Sequence, residues 1–236
     1  MKSIKSIIIG LFTLLLFDAA VYPYDQSEEY KKALSLIESG NRAEAKNILK
    51  DLSQKNAEWG IIHLEYAINC IYLECTDNEI EEYLTKAEAL LPENPRFYYF
   101  KGLFLEHLDK DAALRLYDKA ISLRPSYTDV LIRACTLYAE KGDLKSAISY
   151  YDSIPNENKS STLILRMIDL LVENKNYQRA EKELLTLTTL HPSNEIYLGR
   201  LKDFYIKTGN IPKANETTKK IEKLSPQKKK HMRPLR

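Results

Sequence analysis

The chain has 236 residues, 44% of them hydrophobic and 29% charged, enough for a real core beneath a wet surface. Only 7 are Gly against 16 Tyr, and the abundance of Ala, Leu, Glu and Lys favours helices over a strand-rich fold. The formal net charge of +2 is uneven: residues 227–236 carry Lys228, Lys229, Lys230, Arg233 and Arg236 and no acid, so the body is mildly acidic and lacks the basic face that nucleic-acid binding needs.

The N-terminus reads as a secretory signal over residues 1–20. Lys2 and Lys5 form a positive start, residues 7–17 are an apolar run, and small residues follow at Ala19 and Ala20. The run is too short to span a bilayer comfortably. Asp18 spoils the small-x-small pattern before the cut, so retention of this segment as an N-terminal anchor stays open beside cleavage. No Cys lies near the site, which argues against lipoprotein attachment. Residues 21–25 read as a linker.

From residue 26 the chain repeats. Ala113, Ala147, Ala180 and Ala214 are separated by 34, 33 and 34 residues, and stepping back by 33 and 35 reaches Ile80 and Ala45. Four residues before these six points stand Asn41, Thr76, Asp109, Asp143, Asn176 and Asn210, all N-cap types. Gly40, Gly142 and Gly209 precede three of them, where a helix end turns through positive φ. Pro212 suits a first turn. Pro92, Pro125, Pro192 and Pro226 follow the markers by 12 residues and should end each second helix, and Pro155 should shorten one. Apolar residues recur at helical spacing, as in Leu131, Ala134, Cys135 and Tyr138, or Ile164, Met167, Ile168 and Leu171. Each unit therefore reads helix, turn, helix, Pro.

With these residues, above all Ala113–Tyr117–Ala120–Pro125 and Cys135–Tyr138–Gly142–Ala147–Tyr151, the chain resembles the tetratricopeptide repeat (TPR) family. The resemblance covers residues 26–228 as six degenerate repeats: 26–60, 61–93, 94–127, 128–160, 161–194 and 195–228. It implies an all-α, right-handed superhelical solenoid of antiparallel helix pairs. The second repeat fits worst, with Ile80 in place of Ala and Cys75 in place of the turn Gly, and the third lacks one residue in its turn. In the last repeat Thr217, Thr218, Lys219 and Lys220 stand where others carry an aromatic or Leu, as a polar C-terminal cap would. The basic residues 229–236 are expected to form a disordered tail. A solvated tail without a role is the favoured reading; contact with anionic lipid, as for the N-terminus, or with an acidic partner surface is the alternative.

The family binds other proteins in a groove lined by first helices, and the resemblance implies that role here. Register places Tyr66, Asn69 and Tyr72 of the second repeat there, with Arg96, Tyr99, Leu103 and His107 of the third. Arg133, Arg166 and Arg200 share one repeat position and should form a column able to grip carboxylates of an extended peptide. The competing reading pairs Arg166 with Asp169 and Arg200 with Asp203 along each helix, and leaves Arg133 as the guanidinium with no such acid. The three Tyr form either a peptide platform or ordinary core. The paired Lys and Asn of the family's carboxylate clamp do not occur, since Tyr30 and Leu34 hold those places in the first repeat and Glu65 and Asn69 in the second.

No chemistry-bearing motif emerges. His63, His107, His191 and His231 lack metal-ligand spacing, and no phosphate-binding loop, nucleophile elbow or zinc-protease motif occurs. Cys70, Cys75 and Cys135 are an odd set; Cys70 and Cys75, five apart on a helix, would point to different sides and read as small buried hydrophobes. The expectation is an exported protein–protein scaffold of a bacterial envelope, not an enzyme, with no cofactor or metal. The alternatives are a membrane-tethered repeat protein and, less favoured, an envelope enzyme without a recognisable motif.

Overall fold

The computed structural model describes residues 27–231, with side chains through residue 224. The expected signal segment 1–20, the linker 21–25 and residues 232–236 lie outside them. Among the described residues there is no strand. Within the described residues twelve α-helices run α1 Glu28–Glu38, α2 Arg42–Lys55, α3 Gly60–Tyr72, α4 Asp77–Leu90, α5 Pro95–Leu105, α6 Lys110–Leu123, α7 Thr128–Glu140, α8 Leu144–Ser153, α9 Ser161–Glu173, α10 Tyr177–Leu190, α11 Glu195–Lys207 and α12 Ile211–His231. They fall into two compact units that divide between Pro125 and Ser126.

In the first unit each helix packs on its successor from α1 to α6, and the first helices α3 and α5 also touch. Ala33, Leu49, Ile62, Tyr66, Leu84, Ala87 and Phe97 form its core. In the second unit the same succession runs from α7 to α12. Its core holds Leu131, Ala134, Ala147, Tyr151, Met167, Leu171, Ala180, Leu184 and Leu187. A single pair would leave one apolar stripe in water, so successive pairs bury it against the next.

The expected punctuation appears with four corrections. All six predicted caps precede second helices, but only Thr76, Asp109, Asp143 and Asn210 accept a backbone N–H through the side chain. Asn41 and Asn176 take no such bond. Gly40, Gly142 and Gly209 have φ of 85°, 77° and 77°. In two other turns non-glycine residues take this conformation, Glu74 at φ 52° and Lys175 at φ 60°. The turn residue of the second repeat is therefore Glu74, not Cys75. Cys75 is an extra residue between Glu74 and the cap Thr76, which accounts for the step of 35 between Ala45 and Ile80. Pro155 shortens α8, which ends at Ser153. Pro226 does not stop α12, which continues to His231 and so enters the segment read as a disordered tail. A Pro forfeits one N–H bond in a helix, and the preceding turns carry this one past it. Thr217 is not an outward polar residue of a cap: it is 3% exposed, and its hydroxyl donates to Lys213 O at 2.8 Å.

Candidate functional site

The second unit carries the Arg column. Arg166 projects from α9 and Arg200 from α11. Neither pairs with the acid on its own helix. Arg166 donates to Glu140 at the end of α7 (3.0 Å), and Arg200 to Asp169 of α9 (2.8 Å). The ion pairs therefore run backward from each first helix to the one before. The reason is reach: a neighbouring helix lies within the span of an Arg stem, and the guanidinium covers apolar surface on the way. Asp203 meets Lys202 instead, at 3.6 Å. Arg133 corrects the expectation of an available guanidinium: it is half-buried on α7 and engaged by an interaction of its own.

Both ladder pairs are close to half exposed. Pairs of this kind contribute about 0–1 kcal/mol. Arg200 and Asp169 stand at the mouth of a cleft of about 180 Å³ with Asp203 and Lys207, over a floor of Ile168, Val172, Leu184 and Phe204. Its chemistry suits one apolar side chain flanked by a charge. A larger cleft of about 580 Å³ is lined by Tyr151, Asp152, Lys159, Arg179 and Glu183. There the charges are already spent on each other. Arg179 bonds Asp152 (2.5 Å) and Glu183 (2.9 Å), and the buried Tyr151 hydroxyl donates to Glu183 at 3.0 Å. Lys213 likewise reaches Glu181 at 2.7 Å. Sequence reasoning missed this second set, although Arg179 and Lys213 both stand one residue before a marker Ala.

In the first unit, of the two readings of the tyrosines, Tyr66 follows the core one. Tyr66 is fully buried, its ring 4.0 Å from that of Tyr83 and its hydroxyl donating to Glu79. Asn69 is fully buried as well, donating to Glu65 O and accepting from Arg42 at 3.3 Å. Tyr99 is half-buried, edge-on to Phe100. Tyr72 alone of the three is presented, 55% exposed, with the Arg42 guanidinium 4.2 Å from its ring centre. Arg96 is tied to the buried Glu65 at 2.7 Å. His107 is exposed but lies in the turn after α5, past the helix face assigned to it. The signal for a buried α3 was present: Glu65 is the only charged residue, apart from His63, in GIIHLEYAINCIY.

The Tyr66–Glu79 bond has a pH consequence. The hydroxyl of Tyr66, and the ammonium of Lys46 at 3.1 Å, hold the Glu79 carboxyl below its ordinary 4.5. Burial first, then this carboxylate, holds the Tyr66 phenol up. The folded chain thus binds fewer protons at Glu79 than the unfolded chain just below the ordinary value. Its contribution is complete above that pH and is lost as pH falls through the depressed folded value. Urea midpoints followed downward through the carboxylate range should fall less steeply in Glu79→Gln than in the parent; parallel curves would refute the assignment.

The helix pairs, their small-residue contacts and their Gly turns define an all-α helical-repeat fold. The sequence profile of the tetratricopeptide repeat family matches residues 104–165. Solved structures with the same fold include a tetratricopeptide repeat protein from Cytophaga hutchinsonii (TM-score 0.67, 19% identity, 84% of this chain and 80% of that one). The pilF protein of Pseudomonas aeruginosa superposes with a TM-score of 0.62 at 19% identity, over 84% of this chain and 90% of its own. A tetratricopeptide repeat protein from Parabacteroides merdae gives 0.56 at 19% identity, over 84% and 80%. These likenesses concern the fold. No curated protein matches the chain. The chain has the fold of tetratricopeptide-repeat proteins, and the family's profile matches part of it.

Proposed function

We propose that the chain is an exported scaffold of a bacterial envelope complex, and that its second unit holds a segment of a partner protein along the first helices α9 and α11. The observation that carries this reading is the cleft at Arg200 and Asp169. It combines an apolar floor with ion pairs weak enough for an incoming carboxylate or cation to exchange. Export rests on the positive start, apolar run and small residues of positions 1–20. Retention of that segment would make the same scaffold membrane-tethered.

The test is a crosslinking pull-down from the native envelope with Arg200→Glu. The new carboxylate would face Asp169 and Asp203, and capture of the partner should fall about tenfold or more. Circular dichroism and melting should match the parent, and Tyr72→Ala should retain capture. Undiminished capture by Arg200→Glu would sink the groove assignment. N-terminal sequencing of the exported protein separates a cleaved form, starting after the small residues, from an anchored form that keeps Met1.

A further inference from the structure

Cys70 and Cys75 do not diverge as two residues five apart on a helix would, because α3 ends between them. Glu74 turns through positive φ, the Glu74 N–H donates to Ile71 O at 3.4 Å, and the Cys75 N–H donates to Cys70 O at 3.0 Å. This is the paired bonding of a glycine-type helix end, which folds the residue after the turn back onto the last helical turn. The two sulfurs and a Glu79 carboxylate oxygen consequently lie within 4.8 Å of one another. Lys46 of α2 donates to the Cys75 sulfur at 2.9 Å and pairs with Glu79 at 3.1 Å.

The two sulfurs differ. Cys70 is fully buried, and burial together with its neighbour Cys75 pushes its thiol up to about 12. Cys75 is partly exposed and sits against an ammonium, the setting in which thiolates react. Burial works against the Lys46 charge, but the bonds to Cys75 and Glu79 outweigh it and hold its pKa above that of ordinary lysine. A cation thus already bonds two members of the Cys70, Cys75 and Glu79 cluster, which speaks against a metal ion there.

We propose that Cys70 and Cys75 are a redox-active dithiol, in which Cys75 attacks a hydroperoxide and Cys70 resolves the product into a disulfide across the end of α3. The Cys75 thiolate attacks one peroxide oxygen, the O–O bond breaks, and hydroxide leaves to take up a proton as water. Cys75 is then a sulfenic acid. The Cys70 thiol loses its proton, its sulfur displaces the sulfenic hydroxyl, and a second water leaves. Two thiols and one hydrogen peroxide give one disulfide and two waters; the sulfurs lose two electrons and the peroxide gains them. The disulfide fastens the turn between α3 and α4, close to where Lys46 ties α2 to Glu79. The bridge closes a short loop, so it constrains the unfolded chain little and remains open to reduction.

The experiment uses the full chain, reduced and then exposed to hydrogen peroxide. Unreacted thiols are alkylated after denaturation and the peptides are weighed. The expected product is a peptide lighter by two hydrogens that joins Cys70 to Cys75, with Cys135 alkylated and the change reversed by dithiothreitol. In Cys70→Ser the reaction should stop at a Cys75 sulfenic acid that dimedone traps; Cys70→Ala should do the same and guards against a folding defect in the first variant. Lys46→Met should slow oxidation of Cys75. Four results would overturn the proposal. These are unoxidised Cys75, a disulfide between chains, a Lys46–Cys75 crosslink that has gained oxygen, and protection of both thiols by zinc ion alone. None of these outcomes depends on the partner-binding role proposed for the second unit.

Discussion

Replacing Gly102 by alanine is expected to destabilise the first unit by about 1–3 kcal/mol, and valine by more. A Cβ added to Gly102 would lie 2.5 Å from Cε1 and 2.9 Å from Cδ1 of Tyr117, inside any permitted carbon contact. The ring has nowhere to go. Tyr117 is fully buried, its hydroxyl donates to Glu106 at 2.5 Å, and the Tyr99 ring stands 6.1 Å away. Truncating the ring should cost about 3–5 kcal/mol. The two substitutions should not add. With Tyr117→Ala in place the clash is gone, and Gly102→Ala should become neutral or recover up to about 1 kcal/mol, because alanine is the better helix former. Urea denaturation of the four chains measures this. A Gly102→Ala penalty that persists at full size without the ring would show that the contact is not the cause.

Glu183→Ala is the second large effect, at about 1–3 kcal/mol or somewhat more. Glu183 is 8% exposed and accepts from two donors, the Tyr151 hydroxyl and Arg179 Nε. Its removal leaves the Tyr151 hydroxyl, on a residue 1% exposed, without that acceptor. Arg179 keeps Asp152, which limits the loss on the cationic side. Burial and the Glu183 carboxylate both hold the Tyr151 phenol up, so it stays a donor across the working pH range. Most of the cost should therefore belong to the stranded hydroxyl, and Tyr151→Phe should remove it. In the Tyr151→Phe background, Glu183→Ala should cost clearly less than in the parent. Equal losses in the two backgrounds would assign the energy to Arg179 instead.

These residues mark the limit of what could be read in advance. The marker Ala, the Gly before three of the caps and the Pro after four of the second helices act on backbone within one turn, so local spacing was enough to find them. Tyr66 and Arg166 depend on a neighbouring helix. An outward register put Tyr66 on a platform, yet α3 is enclosed, and inside it the phenol hydroxyl keeps a partner because Glu79 accepts its hydrogen bond. The i, i+3 rule offered Asp169 to Arg166, but Asp169 serves Arg200, 31 residues onward in sequence. Such pairs differ little in energy from their alternatives, so packing rather than charge pattern chooses among them.

The amino-acid sequence by itself determined the all-α class, the period near 34 residues and the positions of the turns. Each rests on propensity, capping and apolar spacing, which act within a few residues. The tertiary structure decided which first-helix residues face solvent, that the Arg column is paired backward between helices, and that Cys75 is an inserted residue folded back on Cys70. Each of these turns on the stagger between neighbouring helices and on one residue at the end of α3. No periodicity along the chain records that stagger, because it is set by how side chains from different repeats fill the space between them.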